Sequence, residues 1–440
     1  MNQNRPFNQI LACVLILFLG LGLAFVLPLL ANSQSLAAQN EPVTPLSSSA
    51  STCFATPDNG TTVFSDTNTS PVQQAVDAVT PGGTVKVAGT CTGVQSRAGL
   101  TQTVYISKSL TLQGGYSQDN WLLASDPRKF PTTLDANKSG RVILISGTQD
   151  VTLDSLSVTG GLAGDGTLDD SGGGIWSNSE FSLTNSIIFS NTAAIFGGAL
   201  LNRNVSPIIT NVIFSGNSAD SGGAIENWGP YGVSSPDLTN VVFSGNSAIR
   251  NGGAMYSYGY DGKSNPNLTN VTFSGNSAGE NGAAMYNYGL DGTSITQVYN
   301  SIFWDNDAIS GTDTTASTIF NNGALIILTH SLLEGSGGSG SGWPGGSYMD
   351  GGGNIDEDPL FITPVDPSTA PTTVGNLRLA AVSPAVDMGA NVYVENVPND
   401  LDGNPRIVDG NKDGTPTVDM GAYEYQLPYI YDVKLPLILN

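Results

Sequence analysis

Few residues in this chain have the types and spacing that chemistry needs. Asp409, Asn411 and Asp413 in "DGNKDG" stand at the first, third and fifth positions of a calcium-loop pattern, with Gly414 at the sixth. Met420 stands where the closing glutamate belongs, beside Asp419. The same composition also makes a plain Asp/Gly turn, so ion site and turn are both open readings. Asp169–Asp170 is a carboxylate pair of the kind glycosidases use, although adjacency in sequence says nothing about facing geometry. The single histidine, His330, has no second His or Cys at ligand spacing and reads as a packed or surface residue. Arg203, Arg250 and Lys263 are the only other cations between Phe181 and His330, and none sits in an acid–base constellation. Catalysis is thus weakly supported, and calcium is the one cofactor the sequence offers.

Aromatic residues form a better pattern. "GGAIENWG", "GGAMYSYG" and "GAAMYNYG" superimpose Trp228, Tyr258 and Tyr288, and likewise Glu226, Tyr256 and Tyr286. Strand alternation sends Ile225, Met255 and Met285 to the opposite face. A glutamate is ill suited to an apolar core, so the column of Trp228, Tyr256, Tyr258, Tyr286 and Tyr288 is expected to face outward. It would serve as a sugar-stacking platform or as self-stacked packing along the strand edge. The loops beginning "GPYGVSSPD", "GYDGKSNPN" and "GLDGTSITQ" follow at equivalent places and should project from one side, the expected binding face.

The elements that position these residues are repeats. "FSGNSA" recurs at Phe214–Ala219, Phe243–Ala248 and Phe273–Ala278. Phe189, Phe214, Phe243, Phe273 and Phe303 align at intervals of 25 to 30 residues, with Asn217, Asn246, Asn276 and Asn306 following the last four, and "TN" preceding the strand at Thr184, Thr210, Thr239 and Thr269. A fixed period of strands and turns means stacked coils, a β-solenoid in which each rung lies about 4.8 Å over the last. Phe stacks on Phe, Asn bonds to Asn, and Gly turns the corners. A catalytic group is needed once, whereas a ladder needs the same residue on every rung.

The paired FSGN and GGA(I/M) motifs, over roughly Gly172 to Gly323, resemble the repeats of chlamydial polymorphic outer-membrane proteins and, more broadly, pectin-lyase-like right-handed parallel β-helices. That resemblance implies right-handedness and a secreted or surface protein with adhesive work. Those proteins end in a membrane β-barrel, for which roughly 100 residues after the last repeat leave no room. "GNIDEDPLF" (Gly353–Phe361), "NLRLAAVSPAVDMGAN" (Asn376–Asn391) and "DLDGNPRIVDG…TVDMGAYEY" (Asp400–Tyr425) resemble the bacterial choice-of-anchor Q domain, which implies surface attachment.

The expected organisation is an export signal or anchor over 1–38 and a linker over 39–60. A parallel β-helix over 61–333 and a Gly/Ser-rich loop or linker over 334–353 follow. An anchor-Q-like C-terminal cap over 354–425 and a tail over 426–440 complete the chain. Cys53 and Cys91, an even pair in an exported chain, are expected to form a disulfide. A net charge of −22 argues against nucleic acid as partner, and membrane contact is expected only through an uncleaved N-terminal segment. The functional expectation is a non-catalytic binding or adhesion protein contacting a polysaccharide or a neighbouring surface. Its rivals are a polysaccharide lyase or hydrolase on the same coil and a passive spacer.

Overall fold

The computed structural model describes residues 53–147, 150–164, 170–289, 294–309 and 314–427. The expected export segment, most of the linker, Asp169, part of the third projecting loop and the tail from residue 428 lie outside the described residues.

Parallel strands stack into a β-solenoid whose faces are a 16-stranded, a 9-stranded and a 6-stranded sheet. Corresponding residues stay in register from coil to coil, with Phe214 opposite Phe243 and Phe243 opposite Phe273. Inside, Phe214, Phe243, Phe273 and Phe303 stack with ring centroids 5.1, 4.5 and 4.7 Å apart. The expected alignment of Phe189 is one residue off. Ile188 opposes Phe214 and fills the interior column, while Phe189 opposes Ser215 and is half-buried.

The asparagine ladder is continuous and starts one rung earlier than the sequence suggests, at Asn191. Each buried amide accepts from the main-chain N–H one rung below, as Asn246 Oδ1 does from Asn217 N at 3.0 Å and Asn276 Oδ1 from Asn246 N at 3.0 Å. Each also donates back, Asn246 Nδ2 to Phe214 O at 3.0 Å. Water cannot reach these turns, so the side chains satisfy the backbone. Glycine is required at the following corner for two separate reasons. Gly252 adopts φ +67°, and a Cβ on Gly253 would lie 2.4 Å from Ala283 O in the next coil.

Both ends are closed. At the first coil, Pro71 starts the helix Ser70–Ala78, whose Val72, Ala75 and Val76 form an apolar stripe buried on the core. Its Gln73 amide pairs with the main chain of Tyr105, accepting from N at 2.8 Å and donating to O at 3.1 Å, as a neighbouring strand would. The strand Cys53–Thr56, within the stretch expected as linker, pairs with Thr84–Thr92, and a disulfide joins Cys53 to Cys91. At the other end lies the Gly/Ser-rich segment. Trp343 and Tyr348 in it pack against the interior cluster, Trp343 Nε1 donating to Tyr348 O at 2.9 Å. Tyr348–Asp350 adds a strand beside Leu325–Thr329.

The remaining C-terminal residues lie along the flank of the coils. The "TN" asparagines, and Asn300 at the equivalent place after Tyr299, are the bends of the long strands, all with left-handed backbone: φ is 48° at Asn185, 57° at Asn211, 54° at Asn240 and Asn270, and 48° at Asn300. Their side chains point outward, and those of Asn240, Asn270 and Asn300 receive the C-terminal segment. Asn240 Nδ2 donates to Asn399 O at 2.8 Å, and Asn270 Nδ2 to Gly421 O at 3.1 Å. Asn300 accepts from Ala390 N at 2.8 Å and donates to Ala390 O at 3.2 Å. Beside them Val242, Ile302 and Leu332 meet Phe361, Leu377, Met420 and Ala422 in a second apolar cluster.

Removing one ladder side chain tests how much the coils depend on it. Asn246→Ala strips partners from the buried Asn217 N–H and Phe214 carbonyl, and is expected to cost about 2–5 kcal/mol in urea denaturation.

Candidate functional site

The aromatic column exists, but its ring faces are occupied by one another. Trp228 stacks on Tyr258 at 5.0 Å and Tyr258 on Tyr288 at 5.1 Å, the spacing of the rungs themselves. Tyr260 adds a further ring, 6.3 Å from Tyr258. Sugar rings need an open aromatic face, and within this column the rungs leave edges. Tyr256 and Tyr286 form a separate, deeper column, meeting edge to face at 4.9 Å, with Phe320 stacked beyond at 5.4 Å.

Glu226 corrects the reasoning that placed these columns in water. It does point away from the interior, as alternation requires, yet it is fully buried, and neither carboxylate oxygen has a hydrogen-bond partner. Its rung neighbours are Leu201 and Tyr256. The outer face of this sheet is therefore itself covered, with Leu144, Trp176 and Leu201 forming a small cluster there. Burial lifts the Glu226 carboxyl well above the usual carboxylate range. Burial likewise raises the Tyr256 hydroxyl, helped by Glu226 beside it.

The column ends at Trp228, because the next rung carries Arg203 in register. There a cleft of about 210 Å³ opens, lined by Phe196, Leu201, Arg203, Trp228, Asp170 and Ser171. Phe196 leans on Trp228 at 5.3 Å with the planes tilted by 41°. An apolar floor, two aromatic rings, a guanidinium and a carboxylate converge on a space the size of a single sugar ring. Sequence reasoning named Trp228 but missed its companions. Asp170 had been considered only with Asp169 and Arg203 only as an isolated cation, and Phe196 lies just before the glycine corner. The signal that could have found Arg203 is the register, which puts it where the next three coils have an aromatic ring.

The other candidates scatter. Asp409, Asn411 and Asp413 lie together in a turn whose side-chain oxygens accept main-chain N–H groups: Asp409 Oδ1 from Asp413 at 3.0 Å, Asn411 Oδ1 from Asp413 at 2.8 Å and Asp413 Oδ1 from Thr415 at 2.8 Å. Among the described residues no group of three or more His, Cys, Asp or Glu side chains is arranged to hold a metal ion. His330 occupies the same outer bend as the TN asparagines, Nδ1 3.4 Å from Met388 O. Of the projecting loops, the first two stack on each other, Val233 bridging to Lys263, and Tyr231 at the tip is 79% exposed.

A family model of the Chlamydia polymorphic membrane protein repeat matches residues 211–227 and 240–257. The solenoid's repeats are similar to that repeat. Each matched stretch runs from an outer asparagine bend, through the stacked phenylalanine, the buried asparagine and the glycine corner, to the strand of Glu226 or Tyr256. No curated protein matches the chain.

The Glu226 carboxyl generates a pH prediction. Its folded value lies above its unfolded one, so the folded state holds the extra proton. Stability is then highest below the ordinary carboxylate value and is lost as pH rises toward the folded value. Glu226→Leu should therefore remove part of the wild type's decline between pH 5 and 8, by up to about 1.4 kcal/mol per pH unit. Urea midpoints across that range check it.

Proposed function

We propose that this chain is a surface-exposed β-helix protein that binds a saccharide, without chemical turnover, at the cleft where its aromatic column ends. The observation that carries the reading is the convergence of Phe196, Trp228, Arg203 and Asp170 on one cleft. Aromatic rings supply the apolar contact that a sugar's C–H face prefers, and Arg203 with Asp170 can donate to and accept from its hydroxyls. Surface exposure is supported by the similarity to the Chlamydia polymorphic membrane protein repeat and by an N-terminal sequence with the pattern of an export signal. The acidic net charge of −22 suits a protein that meets neither nucleic acid nor an anionic bilayer.

Native electrophoresis through gels carrying neutral or uronic-acid polysaccharides tests the proposal. Retardation by one polymer, left intact after long incubation with calcium, is the expected result. Trp228→Ala and Arg203→Ala should each weaken it about tenfold, equivalent to about 1.4 kcal/mol. Tyr288→Ala, two rungs further along, should change it little. A cleared zone would replace this reading with a lyase or hydrolase on the same coil. Free migration through every gel would leave a spacer or a protein-directed adhesin. Whether the protein is displayed is read separately, by its loss from intact cells treated with protease.

A further inference from the structure

A second cleft, of about 690 Å³, lies between the upstream flank of the solenoid and the C-terminal segment. Its floor is the outer face of the long strands at Asn185, Asn211, Ile187 and Ile213, and its far wall carries Arg378 and Tyr423. The floor consists of two columns that continue under the C-terminal segment. Along the bend column, Asn185 is exposed and Asn211 half-buried, whereas Asn240, Asn270 and Asn300 are 1%, 0% and 0% exposed. Along the neighbouring column, Ile187 is 42% exposed and Ile213 half-buried, whereas Val242, Thr272, Ile302 and Leu332 lie at 3% or less. The register ties all six residues of that second column together. One surface is thus occupied over part of its length and open over the rest.

The occupied part shows what that surface holds. Asn300 takes both main-chain groups of Ala390, and Asn270 takes the carbonyls of Asp419 and Gly421. Both contacts fall in the sequence Val-Asp-Met-Gly-Ala, present at Val386–Ala390 and again at Val418–Ala422. The small Gly-Ala pair lets the main chain approach the amides, while Met420 and Ala422 cover the apolar column. Both copies of that sequence are already seated, so a further occupant carrying it comes from another molecule. The cleft adds little net charge of its own, since Arg378 forms a bidentate pair with Asp402, both contacts at 2.6 Å. Arg128 donates to the Asp402 carbonyl.

We propose that the open rungs at Asn185 and Asn211 are a docking site for an extended polypeptide segment of a partner protein, made of small and apolar residues like Val-Asp-Met-Gly-Ala. The partner's main chain pairs with the bend asparagines, and its apolar side chains cover Ile187 and Ile213. This continues on the outside what the chain does with its own C-terminal segment. The site is separate from the saccharide cleft and does not rest on it.

The test uses fluorescein-labelled peptides copying Ala385–Asn391 and Thr417–Tyr423, titrated by anisotropy against the whole mature protein up to 1 mM on the order of a weak complex. Saturable binding of either peptide is expected. Ile187→Lys, which adds a charge at an exposed position, should weaken it at least tenfold with no change in melting temperature. Ile187→Glu serves if the lysine variant melts early. Ile208→Lys lies on the same strand face before the bend, outside the cleft, and should leave binding unaltered. No anisotropy change with either peptide overturns the proposal, as does equal weakening by Ile208→Lys. Displacement of a bound peptide by maltoheptaose or an oligogalacturonate, abolished by Ile187→Lys, would assign the cleft to saccharide and overturn it too.

Discussion

Everything in this molecule depends on one constraint: each residue of a coil must be compatible with its counterpart one strand spacing above and below. At about 4.8 Å, a position has to stack on itself, hydrogen-bond to itself, or make room for itself. Phenylalanine meets the first condition, asparagine the second and glycine the third, which is why those three types carry the repeat. The constraint acts on the outer face of the solenoid as well. Trp228, Tyr258 and Tyr288 use their faces on one another because they are rungs before they are anything else. Openings arise where the register is broken, and Arg203 above Trp228 is such a break.

The flank of the solenoid follows the same rule with a different consequence. A left-handed bend at each TN asparagine turns its amide outward, so the bends make a column of evenly spaced donors and acceptors. The C-terminal segment uses it through a small group of buried charges. Arg406, 1% exposed, donates to Asn240 Oδ1 at 2.9 Å and Gly421 O at 2.7 Å, and faces Glu424 at 3.6 Å. Asp400 and Asp419 are buried beside it, accepting main-chain N–H groups of Asn404 and Asp387. Burial raises the Asp419 and Glu424 carboxyls, with the Arg406 charge opposing that rise. Removing one member would leave another buried without its partner, a strongly destabilising change.

The solenoid was legible because its determinants are local and repeated: the Phe and Asn positions fall into register by counting. Counting failed at Phe189, where a shorter coil shifts the alignment by one residue and Ile188 fills the place. Glu226 was misread for a physical reason. Alternation gives direction, but burial depends on what covers that side, and the covering residues come from other coils. The TN motif was visible as a repeat, yet its partners lie far away in sequence, Asn240 meeting a residue 166 positions on. The closing role of Trp343 was hidden by its surroundings, since a Gly/Ser-rich stretch reads as a tether whether or not one large side chain pins it down.

The lateral seat of the C-terminal segment bears on how such a molecule can change length over generations. Near-identical repeat units invite unequal exchange, and a coil gained or lost among the early rungs leaves the bend contacts in place and disturbs the Arg128 contact with the Asp402 carbonyl. Within the stretch from Asn240 to His330 the same event would shift the bends under Asn399, Gly421, Ala390 and Met388 by one step, and no two of these could stay seated across the insertion. The chain therefore has a permissive half and a locked half, so homologous lineages should vary in coil number upstream of Asn211 and keep it constant beneath the clasp.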